Sequence, residues 1–199
     1  AARAIVWGGF ANCGQVCVGV ERVYVTERNY DAVLARVVEL TGQLRQGDPA
    51  DADIEVGAMT FPPQVEIVEK LVEDARNKGA RVLTGGKRGA GPGLFFEPTV
   101  LADANHGMAV MTDEFFGPVV PIMRVKDEEE ALRLANESHL GLAAYVFTRD
   151  RDKGRRYAER IEAGNVMVND VLSTYAMPEA PFGGIKQSGF GRVHGDDGL

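Results

Sequence analysis

Cys17 is the side chain in this sequence best suited to nucleophilic chemistry. It ends the run Asn12-Cys13-Gly14-Gln15-Val16-Cys17, where a helix-compatible block gives way through Gly-Gln to strand-like residues. Such a junction presents a side chain at a sheet edge with backbone N–H groups close by. Those dipoles lower a thiol pKa and can stabilise a developing oxyanion. The competing reading is a buried cysteine acting as a small hydrophobe. Cys13, inside the small-residue block, suits that second reading better.

Two further runs have the composition of binding segments. Met111-Thr112-Asp113-Glu114-Phe115-Phe116-Gly117-Pro118 sets two acids and two aromatics before a Gly-Pro turn and a strand. A carboxylate at a strand mouth can accept both hydroxyls of a ribose diol, and an adjacent aromatic can pack on a flat ring. The same residues also read as a solvated helix end followed by core phenylalanines. Residues 180–192 hold Pro181-Phe182-Gly183-Gly184 and Ser188-Gly189-Phe190-Gly191-Arg192. Their glycines permit positive φ and close backbone approach. No Gly-Lys-Ser/Thr follows at P-loop spacing, and the strand–Gly-x-Gly-x-x-Gly–helix order of a dinucleotide site is absent. This run reads as a long glycine-rich loop, a kind of segment that is often functional.

The elements that must position these residues alternate in type. Residues 1–13 are small, apolar and helix-compatible. Residues 18–26 alternate apolar and polar with β-branched weight and predict a strand. Residues 29–44 place Tyr30, Val33, Leu34, Val37, Val38, Leu40 and Leu44 on one helical face, and Gln46-Gly47-Asp48-Pro49 stops them. Residues 62–78 predict a helix with proline in its first turn and Val65, Val68, Leu71, Val72 and Ala75 along one side. Strands are predicted at 80–84, 95–101, 119–125, 142–148 and 165–169. Helices are predicted at 127–138 and 150–163, and a glycine-rich turn at 85–93. Residues 170–199 show no sustained periodicity. Strand and helix alternate with few tight hairpin signals. That pattern predicts an α/β fold with a largely parallel sheet and helices on both faces, with one domain covering 1–199.

Composition narrows the function classes. The chain has 199 residues, 45% hydrophobic and 26% charged, with a net charge of −7. These values are globular and argue against disorder. The acidic balance and the lack of a basic stripe argue against nucleic acid as a partner. No apolar run approaches the ~18 residues of a membrane span, and the N-terminus has no signal-peptide pattern. Two cysteines four apart and three scattered histidines (His106, His139, His194) offer no tetrahedral ligand set, so no metal is expected. So few cysteines suit a reducing cytoplasm.

Taken in order, these motifs resemble the aldehyde dehydrogenase superfamily. Gly14-Gln15-Val16-Cys17 is similar to the family's Gly-Gln-x-Cys nucleophile motif. Glu114-Phe115-Phe116-Gly117-Pro118 is similar to its Glu-x-Phe-Gly-Pro motif. Gly141-Leu142-Ala143-Ala144, residues 165–169, and Pro181-Phe182-Gly183-Gly184 through Ser188-Gly189-x-Gly191-Arg192 complete the series, which spans essentially the whole chain. The surroundings of Cys17 and the Met59-Thr60-Phe61-Pro62-Pro63 turn look most like bacterial semialdehyde-type or broad-range members.

The resemblance implies a three-layer α/β catalytic domain and a set of roles. Cys17 would be the nucleophile. Glu114 would hold the nicotinamide ribose of NAD or NADP, with Phe116 against the nicotinamide. Val16, Val18 and Phe182, with the loop 170–180, would line the pocket for a small-molecule aldehyde. The Cys17 thiolate would attack the aldehyde carbon, and its own backbone N–H would stabilise the oxyanion. Hydride transfer would leave a thioester for water to hydrolyse through a general base. Family members run to roughly 450–500 residues, about three domains by length. They carry the cofactor domain, the general-base glutamate and an oxyanion asparagine upstream of the nucleophile, and an oligomerising strand downstream. Neither Asn12 nor Glu21 is that asparagine or that base. The resemblance therefore implies a catalytic-domain fragment of a larger homodimer or homotetramer, inactive alone. The alternatives are a non-catalytic domain that keeps the fold and a cysteine hydrolase pairing Cys17 with a histidine.

Overall fold

The computed structural model describes residues 1–198; Leu199 lies outside them, as does the side chain of Asp197. The described chain forms two compact units, 2–126 and 127–198.

In the first unit, the chain runs from α1 (Ala2–Phe10) into a single 3-10 turn, Ala11–Gly14, and then to β1 (Val23–Thr26). The predicted strand 18–26 is thus shortened to its second half. Its first half turns instead: Gly19 N–H donates to Val16 O at 2.8 Å and Val20 N–H to Gly8 O at 2.9 Å. Glu21 and Arg22, read as alternating strand residues, have their side chains engaged by the segment 111–116.

Next come α2 (Glu27–Thr41) and α3 (Pro62–Asn77). Each buries the stripe its periodicity predicts, Tyr30, Leu34, Val37 and Thr41 on α2 and Val65, Val68, Val72 and Ala75 on α3. Proline opens α3, and its end closes with Ala80 N–H donating to Ala75 O at 2.9 Å. Strands β2 (Arg81–Thr84), β3 (Thr99–Ala102) and β4 (Val119–Val125) follow, giving a four-stranded sheet in the order β1-β4-β3-β2. Both pairs with β4 are parallel, Val23 opposite Ile122 and Thr99 opposite Val119, while β2 joins β3 antiparallel with a register shift between Val82 and Thr84. All of β3 and the first four residues of β4 are buried. Four successive buried strand residues require cover on both faces, as in parallel sheets generally. β3 is shorter than the predicted 95–101 because Phe96 pairs with Arg88 in an isolated bridge across the glycine-rich turn.

The second unit begins with α4 (Glu128–Asn136), capped by Asp127, whose carboxylate accepts from Glu130 N–H at 2.9 Å. The short strand β5 (Leu140–Gly141) and β6 (Ala143–Val146) lead to α5 (Arg151–Ala158), which Asp150 caps in the same way at 2.9 Å. α5 stops five residues short of the prediction. Asn136 captures the following turn, donating to Arg160 O and accepting from Glu162 N–H, both at 2.9 Å. Glu129 takes the Arg160 guanidinium at 2.8 and 2.5 Å. β7 (Asn165–Val168) then pairs parallel with β6. The run after residue 170 is not structureless: a 3-10 turn covers Ser173–Ala176, and β8 (Ile185–Lys186) pairs antiparallel with β5. Close backbone approach requires glycine where the tail packs: a Cβ on Gly164 would sit 1.7 Å from Gly183 O, and one on Gly183 would sit 2.4 Å from Gly191 O. Among the described residues, no helix is long and apolar enough to cross a membrane, and no group of His, Cys, Asp or Glu is arranged to hold a metal ion.

Candidate active site

The nucleophile motif is built on a left-handed turn. After α1, Asn12, Cys13 and Gly14 take φ values of +49°, +58° and +72°. Asparagine tolerates this region better than most residues, whereas a cysteine there costs on the order of 1–3 kcal/mol. The turn is locked by a reciprocal pair: Asn12 Nδ2 donates to Gln15 O at 3.0 Å and Gln15 Nε2 to Asn12 O at 3.1 Å. Gln15 Oε1 in addition accepts from the Thr60 N–H and hydroxyl, both at 3.0 Å. The glutamine of the motif is therefore an anchor, leaving the next turn, closed by Gly19 on Val16, to carry Cys17.

The two cysteines differ sharply. Cys17 is exposed, and its thiol makes no hydrogen bond among the described residues. Cys13 is 1% exposed, and burial pushes its thiol up to about 12. Cys13 therefore fits the small-hydrophobe reading. Val16 is half-buried and Val18 is 3% exposed.

The Glu114 segment follows a 3-10 turn, Ala109–Met111, and is gripped from three sides. Arg22 Nε donates to Met111 O at 2.7 Å, and its Nη2 donates to Thr112 O and Asp113 O at 2.9 and 3.1 Å. Glu21 Oε1 accepts from Phe116 N–H at 3.0 Å and Phe115 N–H at 3.3 Å. Gln64 Nε2, in the first turn of α3, donates to Phe115 O at 2.5 Å. Phe115 is buried in the core, and Phe116 is half-buried at φ +42°. Glu114 itself is exposed, with no hydrogen bond or ion pair to its carboxylate among the described residues. Burial raises the Glu21 carboxyl above its ordinary value, against the opposing pull of the two N–H groups and Arg22.

Gly14 joins the two segments. A Cβ at this position would lie 2.1 Å from Gly117 O. Only a residue without one lets the nucleophile turn rest on the backbone of the Glu-Phe-Phe-Gly-Pro run. The fold thus brings the segments carrying Val16, Cys17, Val18, Glu114 and Phe116 together within the first unit.

Phe182 belongs to the second unit, 8% exposed. It packs edge-on against Tyr175 at 5.3 Å and near His194 at 6.1 Å, and its backbone exchanges hydrogen bonds with Val193. His106 pairs with the Tyr24 hydroxyl at 2.9 Å. An open cleft of about 610 Å³ on the second unit, lined by Arg151, Arg155, Val166, Val168 and Asn169 among others, holds none of the predicted site residues. Sequence reading missed Glu21, Arg22, Gln64 and Thr60 as supports. The available signal was an acid–base pair in a strand expected to be half-buried.

Residues 1–199 match the family described as the aldehyde dehydrogenase family. The chain belongs to the aldehyde dehydrogenase family. Among its relatives, the 4,4'-diapolycopene aldehyde oxidase of a Methylomonas species is 43% identical over all of this chain and 37% of its own length. The NADP(+) succinate-semialdehyde dehydrogenase of Deinococcus radiodurans is 40% identical over 96% of this chain and 39% of its own. The crystal structure of Staphylococcus aureus betaine aldehyde dehydrogenase in complex with NAD+ superposes with a TM-score of 0.94 at 35% identity. It covers 99% of this chain and 40% of that one. The expected α/β class therefore holds across both units, and this aldehyde dehydrogenase chain spans about two fifths of the length of such relatives.

Proposed function

We propose that this chain carries the nucleophile and the nicotinamide-side contacts of an NAD(P)-dependent aldehyde dehydrogenase that oxidises an aldehyde to a carboxylic acid. The observation that supports this reading best is the seating of Gly14 on Gly117, which couples the exposed Cys17 turn to the Glu114–Phe116 turn.

Cys17 attacks the aldehyde carbon as the thiolate, forming the C–S bond and moving the carbonyl electrons to oxygen. Its backbone N–H donates to that oxyanion. The oxidised dinucleotide supplies a hydride acceptor. Loss of hydride leaves a thioester on Cys17, and water releases the acid and restores the thiol. The residues fit such a cofactor. Glu114 is a solvent-facing carboxylate with no partner among the described residues to compete for a ribose diol, and Phe116 offers a half-buried ring two residues on. Val16 and Val18, on either side of Cys17, contribute apolar walls for the aldehyde. The base that activates water belongs, on this reading, to the remainder of a full-length protein that is a homodimer or homotetramer. Both cysteines are free, which suits the reducing cytoplasm.

The test is NAD(P)H formation by the full-length enzyme over a panel of aldehydes, semialdehydes first, with Cys17→Ala as control. Activity lost in the variant supports the nucleophile, and the ranking names the substrate class. A folded enzyme inactive on every aldehyde overturns the reading in favour of a non-catalytic domain. Ester hydrolysis by Cys17 that a change to alanine at His106, His139 or His194 abolishes would instead identify a hydrolase.

A further inference from the structure

Glu21 takes no part in the reaction above, yet its carboxylate is drawn partly out of solvent four residues after Cys17. Withdrawing a carboxylate from solvent is costly unless hydrogen bonds satisfy it. Its partners here are the N–H groups of Phe115 and Phe116, the two residues directly after Glu114. Phe116 sits at φ +42°, a left-handed conformation that a bulky aromatic rarely keeps without external restraint. Arg22 holds the other end of the segment by the carbonyls of Met111, Thr112 and Asp113. Consecutive residues therefore grip the same loop, one by its acceptors and one by its donors. The side chain left pointing outward between the grips is Glu114.

We propose that Glu21 is a positioning residue for the dinucleotide: by accepting from Phe115 and Phe116 it holds the turn that aims the Glu114 carboxylate and the Phe116 ring at the nicotinamide riboside. The proposal rests on the aldehyde dehydrogenase reading above. A backbone acceptor is required, so the amide oxygen of glutamine can replace it. Loss of the acceptor frees the turn without touching Cys17 or its anchor Gln15.

The experiment uses the full-length enzyme with Glu21→Ala, Glu21→Gln and Glu114→Gln. It measures the Kd for NAD(P)+ and for ADP by calorimetry, the alkylation rate of Cys17 by iodoacetamide without dinucleotide, and the KM for each substrate. ADP lacks the nicotinamide riboside, so its affinity reports the rest of the cofactor site. Glu21→Ala is expected to weaken NAD(P)+ binding about tenfold, the scale of one lost hydrogen-bonding group. ADP affinity, aldehyde KM and Cys17 alkylation should stay within about twofold on the same scale. Glu21→Gln should restore most of the NAD(P)+ affinity. If Glu114→Gln weakens NAD(P)+ and Glu21→Ala does not, the positioning proposal is wrong and the reading of Glu114 stands. If neither variant weakens it, the reading of Glu114 fails as well. A Glu21→Ala enzyme that loses NAD(P)+, ADP and Cys17 reactivity together assigns Glu21 a purely structural role and overturns the proposal. Should Glu21→Ala not fold, Glu21→Asp takes its place, with the carboxylate withdrawn by one methylene. The same selective weakening is expected, and unchanged NAD(P)+ affinity overturns the proposal.

Discussion

Cys13 and Cys17 sit four positions apart and share a side-chain chemistry, yet the fold gives them opposite environments. Cys13 faces the core at the end of α1 and its thiol is pushed up to about 12, whereas Cys17 stands exposed on the next turn. Since the thiolate is the reactive form, iodoacetamide at neutral pH should modify Cys17 and leave Cys13 untouched until the protein is denatured. Peptide mass mapping checks this, and modification of native Cys13 would contradict it. Gly14 sets the other demand at this scale. Gly14→Ala meets both a φ of +72° and a carbonyl oxygen 2.1 Å from the new Cβ. The left-handed strain alone costs about 1–2 kcal/mol, and relieving the clash must part the Cys17 turn from the Glu114 segment. We expect a lower melting temperature together with a loss of NAD(P)H formation larger than the stability change explains.

At the scale of elements, amphipathic stripes proved legible and strand lengths did not. α2 and α3 bury the faces their spacing predicts, because a helix satisfies its own backbone and only the stripe must find a partner. The strand predicted at 18–26 lost its first half, because Val16–Gly19 closes a turn and Glu21 and Arg22 are drawn to the 111–116 loop. Long-range partners of that kind leave no local pattern. In the second unit, α4 carries two testable features. Asp127→Ala removes the acceptor for Glu130 N–H and should cost about 1 kcal/mol of stability, as N-cap removals do. Glu129, held by Arg160 and Tyr157, has its carboxyl lowered to about 2 from 4.5. A lowered folded pKa means the pair stabilises the protein above about 4.5. That contribution is lost as pH falls toward 2. Melting temperatures across that window should fall less steeply in Arg160→Ala than in the parent. The difference should shrink at high salt, since the group lies at the surface.

At the scale of the whole molecule, the chain matches relatives more than twice its length, and the proposed reaction needs groups it does not supply. Expressed alone, the 199 residues should form no NAD(P)H from any aldehyde, while an exposed Cys17 should still alkylate if the first unit folds. NAD(P)-dependent turnover by this chain would contradict that division of labour.

The motifs and their order were enough to identify the family, the nucleophile candidate and the α/β class, because these depend on residue types at fixed local spacing. The sequence also marked Glu114 and Phe116 as a pair, for the same reason. Only the tertiary structure decided which cysteine is reachable. It alone showed that Gln15 is an anchor and that Glu21, Arg22 and Gln64 hold a loop some 50 to 95 residues away. Burial and long-range hydrogen bonding depend on which distant segments meet, and periodicity carries no record of that.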